Sequence, residues 1–215
     1  MKCCDPRDSH FGIKHAERDL ARYEKQGPDR TTQLLIDCIR AQGAQDTGLR
    51  DGSLLDIGAG IGVMHHELLQ DLCSSATHLD LSSAYNKAAA EESERRGHKE
   101  RVEFVLGDIA DSGATLESHD IVTLDRVVCC YPDYRGMLST AVEKCDRVLA
   151  LSYPRNRWFV RLAMGIENLR RKWKGDPFRS FVHSPKEVRM IPEGNGLTRQ
   201  SQKKTPFWLI ELYTR

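Results

Sequence analysis

Three acidic residues of this chain stand where they could grip a nucleoside. The segment Leu54-Leu55-Asp56-Ile57-Gly58-Ala59-Gly60-Ile61-Gly62 reads as a buried strand that ends in an acid and enters D-x-G-x-G-x-G. Glycine lets the main chain turn tightly there and lets a ligand lie against a backbone without Cβ atoms. A helix starting just after would turn free N–H groups and a positive dipole end toward an anionic group. Asp80 follows 24 positions after Asp56, at the end of a second strand, where a carboxylate can accept from both hydroxyls of a ribose. Asp108 closes a third strand in Gly107-Asp108-Ile109, within reach of an adenine amino group, with Ile109 beside the ring. All three lie at C-terminal strand ends, the edge at which open α/β sheets bind ligands. A nicotinamide or flavin domain fits less well. Its G-x-G-x-x-G pattern asks for glycine or alanine where this chain has Val63, and the acid at position 56 is foreign to it.

The rest of the pattern supplies the elements that must hold these acids. From about residue 53, short β-branched runs alternate with helical segments, which predicts βαβ units and a parallel sheet. Strands are expected at 53–57, 76–81, 102–106, 120–124, 147–152, 197–203 and 207–213. Helices are expected at 14–26, 29–43, 61–72, 83–96 and 134–144. Asp29 can cap the second of these, after Gly27-Pro28. A further helix starts at the capping box Ser184-Pro185-Lys186-Glu187, and Pro192 and Gly194 are expected to end it. Residues 1–50 read as an N-terminal helical extension packed on a main domain at 51–215, one structural domain overall.

Composition narrows the function. With 215 residues, 40% of them hydrophobic, the chain can bury a real core. Its 32 basic and 31 acidic residues leave a formal charge of +1, which argues against bulk nucleic-acid electrostatics. No apolar run approaches the ~18–20 residues of a spanning helix, and Met1 to His15 contains no apolar h-region. Seven cysteines (Cys3, Cys4, Cys38, Cys73, Cys129, Cys130 and Cys145) include no C-x-x-C pair, so no zinc site is expected and the thiols read as reduced and cytoplasmic.

At LLDIGAGIG, HLDLS, GDIAD and DIVTLDRVVCCYPDY the chain resembles the class I S-adenosylmethionine-dependent methyltransferases. The stretches ERDLARYEKQGPDRTTQLLIDCIR, SYPRNRW and FVHSP extend the resemblance to the small-molecule enzymes labelled magnesium-protoporphyrin O-methyltransferase-like. The resemblance implies a Rossmann-like three-layer sandwich, with a mostly parallel seven-stranded sheet, its last strand antiparallel, under an N-terminal helical cover. It implies S-adenosyl-L-methionine as methyl donor and S-adenosyl-L-homocysteine as product. Asp56, Gly58, Ala59, Gly60 and Gly62 would lie under the methionine part, Asp80 and Leu81 at ribose and adenine, and Asp108 and Ile109 at the base. Asp125 and Arg126 would lie near the reacting methyl, with Tyr23 and Thr32 contributed by the helical cover. The break expected at Pro192 departs from a family helix that runs on toward the final hairpin.

The implied chemistry asks for in-line alignment of nucleophile, methyl carbon and sulfur, and for a base only when the acceptor must lose a proton. O-methylation of a small molecule, with a carboxylate as one acceptor, is the first expectation. His66, Asp125, Tyr131 and His183 are the candidate bases. Three other classes are weighed. Cys129-Cys130, joined by Cys3-Cys4, could serve a metalloid or thiol methyltransferase, although such cysteines are more often small buried apolar groups. A nucleic-acid methyltransferase would often carry [DN]-P-P-[YF] where this chain reads Asp125-Arg126-Val127-Val128. A non-catalytic module would keep the cofactor pocket without an acceptor site.

One segment is left over. Residues 155–174 carry Arg155, Arg157, Arg161, Arg170, Arg171, Lys172 and Lys174 against the single acid Glu167. Trp158, Phe159, Leu162, Ile166, Leu169 and Trp173 fall on one helical stripe. The plain expectation is that this stripe packs on the domain; a lid or a peripheral membrane contact are the alternatives. The sequence does not fix the oligomeric state.

Overall fold

The computed structural model describes residues 11–215. Two helices, α1 (Ile13–Gln26) and α2 (Arg30–Gln45), come first, followed by β1 (Gly52–Ile57), α3 (Val63–Leu68), β2 (Cys73–Asp80), α4 (Ser83–Arg95) and β3 (Val102–Leu106). A short α5 (Ile109–Ser112) leads to β4 (His119–Asp125), α6 (Tyr134–Glu143) and β5 (Cys145–Pro154). The chain closes with α7 (Trp158–Trp173), α8 (Pro185–Gly194), β6 (Thr198–Lys204) and β7 (Trp208–Thr214). The strands form one seven-stranded sheet in the order β3-β2-β1-β4-β5-β7-β6, with β7 antiparallel to both neighbours. This is the expected architecture.

Alternation along the central strands builds two cores. Leu55 and Ile57 of β1, with Val122, Leu124, Leu149 and Leu151, face α6 and Val188 of α8. Leu54, with Ile121, Val148 and Ala150, faces Leu35, Ile36 and Ile39 of α2 and Met64 and Leu68 of α3. Strands buried on both faces need continuous apolar runs, which is what β1 and β4 supply. The N-terminal region therefore shares the core rather than merely covering it. Asp29 caps α2 as expected, accepting from the N–H groups of Thr31 and Thr32 at 2.9 and 3.2 Å.

Three expectations are corrected. The helix after the glycine turn is only six residues long: Gly62 holds a left-handed conformation (φ 84°) and delays its start to Val63, and the chain turns out of the helix after Leu68, short of the expected end at Leu72. Pro192 lies inside α8, which ends at Gly194. The Pro192 carbonyl accepts from the Leu197 N–H at 3.0 Å and closes the turn. The apolar stripe of α7 does not pack on the domain: Trp158, Leu162, Ile166, Leu169 and Trp173 are all exposed.

The antiparallel edge is held by one buried carboxylate. Glu211 on β7 is fully buried and accepts from Tyr153 on β5, Tyr213, Arg189 on α8, and Arg199 and Gln202 on β6. Glu211→Ala would leave two arginines without their shared anion. It is expected to cost about 3 kcal/mol, read as a lowered denaturation midpoint in urea; an unchanged midpoint would show that the network contributes nothing.

Candidate active site

The site is built at the C-terminal ends of β1, β2 and β4. Gly58 and Gly60 take left-handed conformations (φ 62° and 58°), which favour glycine. At Gly58 a Cβ would come within 2.6 Å of Val127 Cγ2, so the turn also packs too tightly on the β4 end for a side chain. The turn's N–H groups are spent inside the protein. Gly58 and Ala59 donate to the Leu79 carbonyl at 2.8 and 3.2 Å, Gly60 to Asp80 Oδ2 at 2.8 Å, and Gly62 to the Ala59 carbonyl at 2.9 Å. The carboxylates of Asp56, Asp80 and Asp125 line the cavity beside this turn.

A cavity of about 230 Å³ lies against this turn. Asp56, Gly58, Ala59, Gly60, Asp80, Leu81, Ile109, Asp125, Arg126 and Tyr131 of the expected site line it. Asp56 is buried, and Thr123 Oγ1 donates to its Oδ1 at 2.8 Å. Its Oδ2 has no hydrogen-bond partner; His65 Nδ1 lies 3.8 Å away. Burial pushes the Asp56 carboxyl up to about 7, with the nearby Asp125 charge adding to the effect. His65 cannot answer with a charge of its own, because burial lowers it to about 3. Asp80 also accepts from the Ser82 N–H at 2.8 Å, which aims the carboxylate across the mouth of the turn.

Asp125 and Arg126 form one network with the helical cover. Asp125 Oδ2 accepts from Thr32 Oγ1 at 2.6 Å and from Arg126 at 3.2 Å, while Oδ1 accepts from Ser152 Oγ. Arg126 also pairs with Asp29 at 2.6 Å and donates to Thr32 Oγ1 at 3.0 Å. Its backbone is left-handed (φ 63°), uncommon for a residue with a side chain, and these partners hold it there.

Several expected residues stand elsewhere. Gly62 is not part of the cavity wall. Thr32 acts behind Asp125 rather than on the cavity. Tyr23 is buried with its hydroxyl donating to Glu67 at 2.8 Å, and Arg96 lies 4.6 Å from its ring. Asp108 faces an adjoining depression and accepts from the Ala110 N–H at 3.0 Å and from Tyr131 Oη at 2.6 Å. His66 is buried behind the turn against His98 at 2.9 Å and the Ile61 carbonyl at 3.1 Å; burial holds it far below the usual histidine range. His183 packs its ring against Tyr134 at 4.1 Å and meets the Tyr131 carbonyl at 3.0 Å. Cys129 is buried while Cys130 lines the cavity, and both direct their thiols at the Arg126 carbonyl. A hydrogen bond to Cys130 and burial raise the Cys129 thiol well above its ordinary value. Cys3 and Cys4 lie outside the described residues.

Sequence reasoning missed Phe11, Asp19, Arg22 and Tyr85, which also line the cavity. Asp19 and Arg22 are three apart on α1, beside the buried positions Ala16 and Tyr23. That charged pair at the rim of a buried helix face was the available signal. Tyr85 donates to Asp19 at 2.6 Å and so ties α4 to the cover.

Residues 55–151 match the family model described as a methyltransferase domain. Comparison with curated proteins finds no match. Among solved structures, the chain is similar to magnesium protoporphyrin IX methyltransferase from Synechocystis PCC 6803 with bound SAH, 20% identical over 97% of each chain, with a TM-score of 0.73. It is also similar to a putative sarcosine dimethylglycine methyltransferase from Galdieria sulphuraria, 16% identical over 86% of this chain and 85% of that one (TM-score 0.67). An O-methyltransferase family 2 protein from Planctomyces limnophilus, in complex with apigenin, is 18% identical over 99% of this chain and 62% of that one (TM-score 0.66). At these identities the likeness is one of fold.

The raised Asp56 carboxyl has a consequence for stability. Unfolded, Asp56 ionises near its ordinary 3.8; folded, it keeps its proton to about 7. The folded state thus binds more protons between these values, and stability falls as pH rises through them, with a slope approaching about 1.4 kcal/mol per pH unit. Asp56→Asn keeps an acceptor for Thr123 and cannot ionise. The variant should therefore gain on the wild type as pH rises from 4 to 7 in ligand-free urea denaturation. Parallel profiles would contradict the buried, protonated carboxyl.

Proposed function

We propose that this chain, an S-adenosylmethionine-dependent methyltransferase by its domain at residues 55–151, methylates an oxygen of a small molecule, with a carboxylate as the preferred acceptor. When bound, the cofactor supplies a methyl group already activated on a sulfonium. The residues present fit such a ligand. Asp56 has a buried oxygen without a partner beside the cavity, suited to an ammonium group. Asp80 would hold the ribose, with Leu81 and Ile109 flanking the adenine. Arg22 and Arg126 are the cations on the wall that could meet the methionine carboxylate.

What supports an acceptor that needs no deprotonation is the commitment of every candidate base. Asp125 has both oxygens engaged by Ser152, Thr32 and Arg126. Tyr131 donates to Asp108, and neither His66 nor His183 lines the cavity. An ionised carboxylate can attack without a base, so the protein needs only to align it and keep water out. The confined approach supports a small acceptor: α1 contributes Asp19 and Arg22 to the wall, and Phe11 packs edge-on against Phe178 at 5.2 Å. The metalloid or thiol reading draws no support from Cys129, whose proton is held tightly.

The test is an untargeted acceptor screen with labelled S-adenosylmethionine on metabolite extracts and a carboxylic-acid panel, read by mass, with base lability marking an ester. The proposal expects base-labile label on a small acid. Asp80→Ala should weaken cofactor binding by about 1–3 kcal/mol, the range for a lost charged hydrogen-bond partner. Base-stable label, or label confined to RNA or DNA, would overturn the carboxylate or the small-molecule assignment respectively.

A further inference from the structure

Helix α7 is amphipathic in the wrong sense for a helix that packs on its own domain. Its inner face carries Val160, buried, and the half-buried Ala163, Met164, Glu167, Asn168 and Arg171. Polar bonds hold that face down. Asn168 exchanges two hydrogen bonds with the Ser180 backbone at 2.8 and 2.9 Å, and Arg171 donates to Ser180 Oγ at 2.8 Å. The outer face is apolar. Trp158, Leu162, Ile166, Leu169 and Trp173, at spacings of 4, 4, 3 and 4, form one continuous exposed stripe. The two tryptophans at its ends are 76% and 79% exposed.

We infer that this face docks the protein on the surface of an anionic lipid bilayer. Charge complementarity selects that occupant. Residues 155–174 hold seven cations and one acid in a chain whose net charge is +1. The acid is already paired, since Glu167 meets Arg170 at 2.6 Å and Arg171 at 3.2 Å. On a helical wheel at about 100° per residue, Arg161 and Lys172 border one edge of the stripe. Long basic side chains so placed can lay their stems along the apolar stripe while their heads reach phosphates. Tryptophan at both ends suits the headgroup boundary, where a ring can be half immersed and its N–H hydrated. A second copy of this chain would bring the same excess of positive charge against this one. The helix cannot cross the bilayer: no helix among the described residues is long and apolar enough.

The experiment is co-sedimentation of the full chain with phosphatidylcholine vesicles, with and without phosphatidylglycerol. The wild type should pellet with the anionic vesicles, and less so at high salt, because surface attraction is screened. The double variant Trp158→Ala/Trp173→Ala should bind roughly tenfold more weakly, and Arg161→Glu/Lys172→Glu should show a similar loss with the stripe intact. Both pairs are exposed, so circular dichroism and cofactor binding should be unchanged. The inference is overturned if the wild type pellets with neither vesicle or if both variants pellet like it. It is equally overturned if light scattering shows a dimer that the tryptophan variant abolishes without lipid binding.

Discussion

One carboxylate of this protein stands where carboxylates are costly. Asp56 lies near the C-terminal end of β1, inside the protein, beside the glycine turn. Thr123 donates to one of its oxygens, and the other, Oδ2, is buried without a hydrogen-bond partner, 3.8 Å from His65 Nδ1. A buried charge without a partner is expensive, and the group responds by keeping its proton near neutrality. The surroundings reinforce this. His65, His66 and His78 crowd the far side of the turn, all held neutral by burial, so none of them can balance the charge.

Much of this was legible in the residues. The D-x-G-x-G-x-G turn located the cavity, and strand-end acids at positions 56 and 80 located two of its walls, because main-chain geometry at a strand end is set by local sequence. The sheet followed from alternation of β-branched runs and helices. What local sequence could not say was where helices land in space. Asp19 and Arg22 reach the cavity only because α1 folds back across the turn, and Thr32 stops short of it because Asp125 and Arg126 stand in between. Tyr131 donates to Asp108 across 23 positions of sequence, a contact that no local pattern announces. The length of α3 was misjudged at both ends, because the Gly62 turn starts it two residues late and the chain turns out of the helix after Leu68.

The same distinction governs α7. Its periodicity identified the helix and the stripe correctly, but periodicity gives a stripe without saying which way it faces. The decision came from polar groups. Asn168 and Arg171, on the opposite side, fit the Ser180 segment closely enough to turn the tryptophans outward. That segment continues to Phe181, whose N–H donates to the Cys129 carbonyl at 2.8 Å beside the cavity. The outward face and the site are therefore joined by one short stretch of chain.

The most direct test of the central claim is calorimetric titration with S-adenosylmethionine near pH 6.5, in two buffers of different ionisation enthalpy. If the unpaired oxygen of Asp56 receives the cofactor's ammonium group, binding must drive the carboxyl to ionise. The two titrations would then differ by the heat of a released proton, and Asp56→Asn would remove that difference. Tight binding with no proton released from the wild type would contradict the account.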